Sequence, residues 1–312
     1  MTRIASARIA RRTLAALALA ACAATPALAQ TSDQTPSQPD WSRWAAHNPA
    51  EPSTVDHRPW DQFLQVFHTE ERGDAALNFT DVKARGLTYL GQYIRYLERI
   101  PVSRLNRDEQ LAYWLNLHNA GVVRAVARAY PVRNLGTLRG EPGAPGEVWA
   151  KPVFDVEGQR LSLEDIEQRI LLAHWADPVV LYGLCYAAKG SPSLPAAAFT
   201  GANVHGQLAE VAADFVNDRK GVRVRRGKLE VSSLYVWNDA LFGDDAALIA
   251  HLSEHAKPRL VERLADVEGG VAKHRFDWKT ADFRPRNNVN VGGGFGGGGG
   301  GGAGGGGLGG GS

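Results

Sequence analysis

The stretch from Asp108 to Tyr130 constrains this chain more than any other. It is mostly apolar from Leu111 onward, its repeat is helical, and Pro131 ends it because proline cannot continue the hydrogen-bond ladder. A helix that long with so few polar positions has no face to give to water. It predicts a central helix with the rest of the fold wrapped around it. Asn116, His118 and Asn119 interrupt it, and Asn116 and Asn119 share a face at a spacing of three. Buried amides require partners. These two therefore either pin neighbouring loops as structural glue or line a cleft with His118.

The flanking elements follow from periodicity. Trp60, Phe63, Leu64 and Phe67 form one helical stripe, and Leu87, Leu90, Ile94 and Leu97 form a second. Val153–Val156 reads as a strand turned by Gly158. Ser162-Leu163-Glu164-Asp165 resembles a capping box that opens a helix to about His174. Val179–Ala188 is a buried strand or a buried helix, which its pattern does not separate. Gln207–Val216 and Ala246–His255 read as helices, and Val222–Val224 with Leu229–Val231 as a hairpin turned at Arg226-Gly227. The expected fold is α+β, a mostly helical single domain with a small antiparallel sheet.

The two ends differ from this body. Arg3, Arg8, Arg11 and Arg12 precede an apolar run from Leu14 to Ala24, and Ala27-Leu28-Ala29 is an A-x-A site. Residues 1–29 therefore read as a secretory signal peptide, and the expected location is periplasmic or secreted. Leu19-Ala20-Ala21-Cys22 is the minor alternative, a lipid anchor at Cys22, and Arg11-Arg12 is a weak twin-arginine match. Residues 30–55, rich in Ser, Thr, Gln and Pro, read as a disordered linker. Residues 56–283 are the expected globular domain, and 284–312 a disordered glycine-rich tail.

Loss of the four signal arginines leaves 31 of the 35 basic residues against 33 acids, a net charge of −2. That excludes a generally basic nucleic-acid binder. No later stretch suggests a transmembrane helix. Cys185 would be the one thiol left, so no internal disulfide is expected, and its apolar neighbours predict a buried, unreactive side chain.

Two further motifs are weak. His251-Leu252-Ser253-Glu254-His255 matches an H-x-x-E-H pattern. A protease site of that type needs a glutamate well downstream, and only Glu262 and Glu268 follow. Two exposed histidines on a surface helix are expected, with no metal and no cofactor. Lys189-Gly190-Ser191-Pro192-Ser193 lacks phosphate-loop spacing and reads as a turn. The serines have no G-x-S-x-G context.

Several phrases together resemble the bacterial domain of unknown function 547 family. They are Glu109–Asn116, Tyr130-Pro131-Val132, Leu161–Glu167, Gly190–Leu194, Phe199–Ala202, Val231–Trp237 and Phe276-Asp277-Trp278, spread over about 56–283. The resemblance also marks this chain as divergent. The family pattern implies His at Gln168, His at Leu181, Cys at Tyr186 and Asp at Leu241. A thiolate nucleophile with His and acid partners is a recognisable catalytic set, and this chain lacks it. Cys185, one step along, faces elsewhere. The implied candidate cleft is Asn116, His118, Asn119, Gln168, Leu181, Tyr186 and Leu241. Two readings stand: a non-catalytic exported binding or scaffold protein, and a hydrolase-like enzyme whose active site uses other residues. Whether a base–nucleophile pair lies near Asn116, His118 and Asn119 separates them.

Overall fold

The central helix runs from Arg107 to Ala129. Asn106 caps it by accepting from the Glu109 amide at 3.0 Å, and Asp108 and Glu109 sit where the helix dipole favours acids. Nearly every residue from Glu109 to Val123 is buried, so neighbours cover this helix on all sides. The computed structural model describes residues 40–71, 74–141 and 144–283, and its compact unit begins at Trp41. The expected signal peptide, Cys22 and the glycine-rich tail fall outside the described residues.

The expected helices form at Arg58–Phe67, Leu87–Leu97, Val204–Asn217 and Asp245–His255, each with its apolar stripe inward. Phe154–Val156 pairs with Gln159–Leu161 across a turn in which Glu157 and Gly158 take positive φ. Ser162 and Asp165 do form the reciprocal cap. The Asp165 amide donates to Ser162 Oγ at 3.1 Å, and the Ser162 amide donates to Asp165 Oδ2 at 3.0 Å. The helix they open is wound as a π-helix over Asp165–Leu171. The hairpin Val222–Arg225 and Lys228–Ser232 turns through Arg226 and Gly227, both left-handed as a two-residue turn of this type requires. The architecture is α+β and mostly helical, with small antiparallel pairings.

Three details differ from the sequence reading. Val271–Arg275 adds a parallel third strand to the hairpin, although its exposure does not alternate. Val179–Ala188 is neither strand nor α-helix. Pro178–Gly183 is a 3-10 helix, and Leu184–Ala188 is held by Asn119 of the central helix at one end and by backbone pairing with Thr280 and Ala281 at the other. Thirdly, residues 41–55 of the expected linker pack against the domain. Trp44 is 2% exposed and meets Trp114 edge-on, with ring centroids 5.1 Å apart. Gln110 Nε2 donates to the Ala46 carbonyl at 2.7 Å, and the Asn48 amide donates to the Leu105 carbonyl at 3.0 Å. Polar composition concealed this, because few apolar side chains, Trp44 and Val55 among them, dock the segment.

The last described residues form a strap. The amides of Lys189 and Gly190 donate to Lys279 and Asp277, the Leu135 amide to Trp278, and the Ala281 amide to Ala187. A Cβ at Gly190 would lie 2.5 Å from the Asp277 nitrogen, so only glycine admits this approach. Among the described residues, no helix is long and apolar enough to cross a membrane.

Candidate functional site

A carboxylate buried on the apolar face of the π-helix organises the centre. Glu167 lies among Ile166, Ile170 and Leu171, where a charge requires compensation. Arg139 Nη2 donates to Glu167 Oε1 at 2.7 Å. The Tyr186 hydroxyl and Gln168 Nε2 donate to the same oxygen, each at 2.9 Å. His118 Nε2 stands 3.6 Å from Oε2, beyond hydrogen-bond length. The Arg139 guanidinium lies over the rings of Tyr186, Trp237 and Trp278, with centroids 4.8, 5.9 and 6.0 Å away. Those π faces meet the part of its charge that Glu167 leaves unmatched.

The electrostatics follow from this packing. Burial alone would raise the Glu167 carboxyl, but Arg139 foremost, with His118 and Tyr186, holds it down at about 2. Burial, then the Glu167 charge, drives the Tyr186 phenol well above its ordinary range. Near neutral pH the group is therefore a fixed ion pair with a protonated phenol. Glu167, His118, Tyr186 and Arg139 are each 0–1% exposed, so the group is closed to solvent in this structure.

The candidate cleft residues divide accordingly. Gln168 and Tyr186 meet through Glu167, and His118 joins them by an edge-on ring contact with Tyr186 at 6.4 Å. Asn119 bridges two backbone groups at the end of the 3-10 helix. Its Nδ2 donates to the Gly183 carbonyl at 2.9 Å, and its Oδ1 accepts from the Cys185 amide at 3.0 Å. Asn116 clamps both backbone groups of Phe199, at 2.8 and 3.1 Å. Both amides are glue between the central helix and its neighbours. Leu181 is buried in the 3-10 turn, and Leu241 is half-buried beyond the hairpin. Being aliphatic, they add no polar contact to the Glu167 group. Asn116, His118, Asn119, Leu181 and Tyr186 are all core residues, so no open cleft runs between them.

Cys185 is buried, its sulfur accepts from the Ala187 amide, and burial pushes its thiol up. His251 and His255 are half-buried rather than exposed, because Tyr182 and Phe242 pack on their rings.

Sequence reasoning missed Glu167 and Arg139 as site residues. The signal for Glu167 was available, since a lone acid at the period of Ile166, Ile170 and Leu171 needs a buried cation. Arg139 lies in a four-residue helical turn, Gly136–Arg139, without a periodic pattern.

Glu164, beside this group, behaves differently. Burial and the neighbouring Glu167 charge raise its carboxyl to about 7. A raised acid adds stability that is complete below its unfolded pKa, near 4.5, and is lost as pH rises through about 7. Glu164→Gln should therefore raise Tm at pH 8 by roughly 2–4 °C, or about 1 kcal/mol after allowance for partial exposure, and change little at pH 4.5. Paired thermal melts at the two pH values measure this. Equal shifts at both would mean that Glu164 ionises normally.

A cavity of about 230 Å³ is lined by Gly190, Lys220, Arg275, Phe276, Asp277 and Lys279. The Phe276 ring centroid lies 6.4 Å from that of Tyr186. No curated protein and no solved structure matches the chain. Residues 102–216, which carry the central helix, Arg139, Glu167, Tyr186 and Gly190, match the family model described as protein of unknown function, DUF547.

Proposed function

We propose that this chain is an exported, non-catalytic binding protein that takes a small anionic ligand in the pocket beside the strap. The observation that carries this reading is the charge of that pocket. Lys220, Arg275 and Lys279 line it against a single acid, Asp277. Lys220 Nζ is held 3.1 Å from Ser193 Oγ, and Arg275 is tethered 3.6 Å from Glu230. The strap fixes the backbone of Gly190 and Lys279, so the cations are placed before a ligand arrives, which lowers the ordering cost of binding. The volume admits roughly seven or eight water-sized groups, the scale of a phosphate or a small di- or tricarboxylate. What supports the absence of catalysis is the sealed Glu167 group, which offers neither base nor nucleophile to a bound molecule.

Titration calorimetry with inorganic phosphate and with citrate tests the reading. Binding should weaken about tenfold in each of Lys220→Gln and Lys279→Gln, as loss of one charge-assisted contact implies, and should fall with added salt. Unchanged affinity in both variants, or no heat with either anion, would overturn it. Export is read separately from the mass of the secreted chain. A new N-terminus at Gln30 supports cleavage after Ala29, whereas lipid on Cys22 supports an anchored form.

One feature favours the alternative, a hydrolase-like enzyme of the same fold: burial and the Glu167 charge push the Glu164 carboxyl up to about 7, where a general acid or base works best. Turnover of an ester or amide that disappears in Glu164→Gln would decide for it.

A further inference from the structure

The helix Asp245–His255 ends in His251-Leu252-Ser253-Glu254-His255, which the anion pocket does not use. One turn separates His251 from His255, so both imidazoles project from one face, their ring centroids 5.0 Å apart. One donor atom each from His251, Glu254 and His255 lies within 4.8 Å of the other two. The surroundings are built rather than merely exposed. Tyr182 stacks flat against His251, with centroids 5.8 Å apart, and its hydroxyl lies 2.9 Å from His251 Nε2. Phe242 closes the other side at 5.2 Å. His255 Nε2 is buried and has no hydrogen-bond partner. An imidazole nitrogen left that way costs desolvation without return, and a bound cation would repair it.

We propose that His251, Glu254 and His255 together bind one divalent ion of the zinc class, with a fourth position left for water or a ligand. Two imidazoles and one carboxylate are a known donor set for such an ion. Nitrogen donors disfavour calcium and magnesium, which take oxygen. Bonds of about 2.0–2.1 Å in a tetrahedron put donors about 3.3 Å apart, so the group must close slightly on binding. Glu254 is exposed and free to swing inward. The Tyr182 hydroxyl orients the His251 ring, the part that outer groups play around metal-binding histidines.

The test uses the untagged full chain, stripped with a chelator. Zinc is titrated in competition with a chromophoric chelator, and cobalt is substituted to read coordination from its visible absorption. One zinc per chain is expected, with the intense bands of four-coordinate cobalt. Affinity should fall about 100-fold in His255→Ala and about 10-fold in Glu254→Gln. Circular dichroism checks each variant. Glu254 is exposed, so its variant remains informative even if His255→Ala unfolds. Zinc binding with full affinity in both folded variants, or none at micromolar zinc, would overturn the assignment.

Discussion

Replacing Arg139 with methionine should destabilise the domain by roughly 3–5 kcal/mol, the usual result of removing one partner from a buried ion pair. The cause is not loss of attraction alone. Arg139 is 1% exposed and Glu167 fully buried, so the substitution leaves a carboxylate in the core without its guanidinium partner. Tyr186 and Gln168 would still donate to Oε1, but they carry no charge. The carboxyl would then take up a proton on folding. That reverses its pH dependence. In the wild type, Glu167 is lowered to about 2, so its contribution is complete above pH 4.5 and lost as pH falls through about 2. In the variant the carboxyl is raised, and stability should decline as pH rises above 4.5. Urea unfolding at pH 5 and pH 8 measures both effects. The double variant Arg139→Met with Glu167→Gln should recover much of the loss, because it leaves no buried charge. A single variant that unfolds like the wild type at both pH values would show that the pair contributes nothing. The same experiment bears on the proposed function, since the strap beside the Lys220–Lys279 pocket rests on these residues through Trp278 and Phe276.

How far the sequence revealed this arrangement depended on whether the information was local. The central helix and the capping box at Ser162 are written in neighbouring residues, and both form where their patterns lie. The hairpin was legible for the same reason, because Arg226-Gly227 allows one tight turn. The segment Leu184–Ala188 was not, since Asn119, some 65 positions away, helps to set its path. The site divides in the same way. Family resemblance led to Gln168 and Tyr186, which do share a partner, but that partner was passed over. Glu167 acquires meaning only from Arg139, and nothing near Arg139 in sequence points to Glu167. Asn116, His118, Asn119, Leu181 and Tyr186 lie in packed core, and nothing in their sequence neighbourhoods separates a core position from a cleft wall. The strap was hidden as well, since Phe276–Phe283 has no strand or helix period and is held by scattered backbone bonds.

Trp44→Ala should cost roughly 3–5 kcal/mol, as loss of a fully buried tryptophan does, and lower Tm by about 10 °C in a domain of this size. Composition alone argues for no effect, because Ser, Pro and Gln around Trp44 suggest a tether that binds nothing. The contacts argue otherwise. Trp44 packs edge-on against Trp114 of the central helix, and Arg43 lies 4.9 Å from the centroid of the Trp44 ring. The chain that follows returns hydrogen bonds at Ala46, Asn48 and Val55, the last to the buried carboxylate of Glu109. Removing the ring empties a pocket that other side chains cannot fill, since Trp114 and Gln110 are fixed by the helix behind them. Trp41, half-buried at the edge of the same turn, serves as the control, and Trp41→Ala should cost less than half as much. Thermal melts of both variants decide the matter. If Trp44→Ala melts with the wild type, the segment 41–55 is a detachable tether, and the domain begins at the first helix rather than at Trp41.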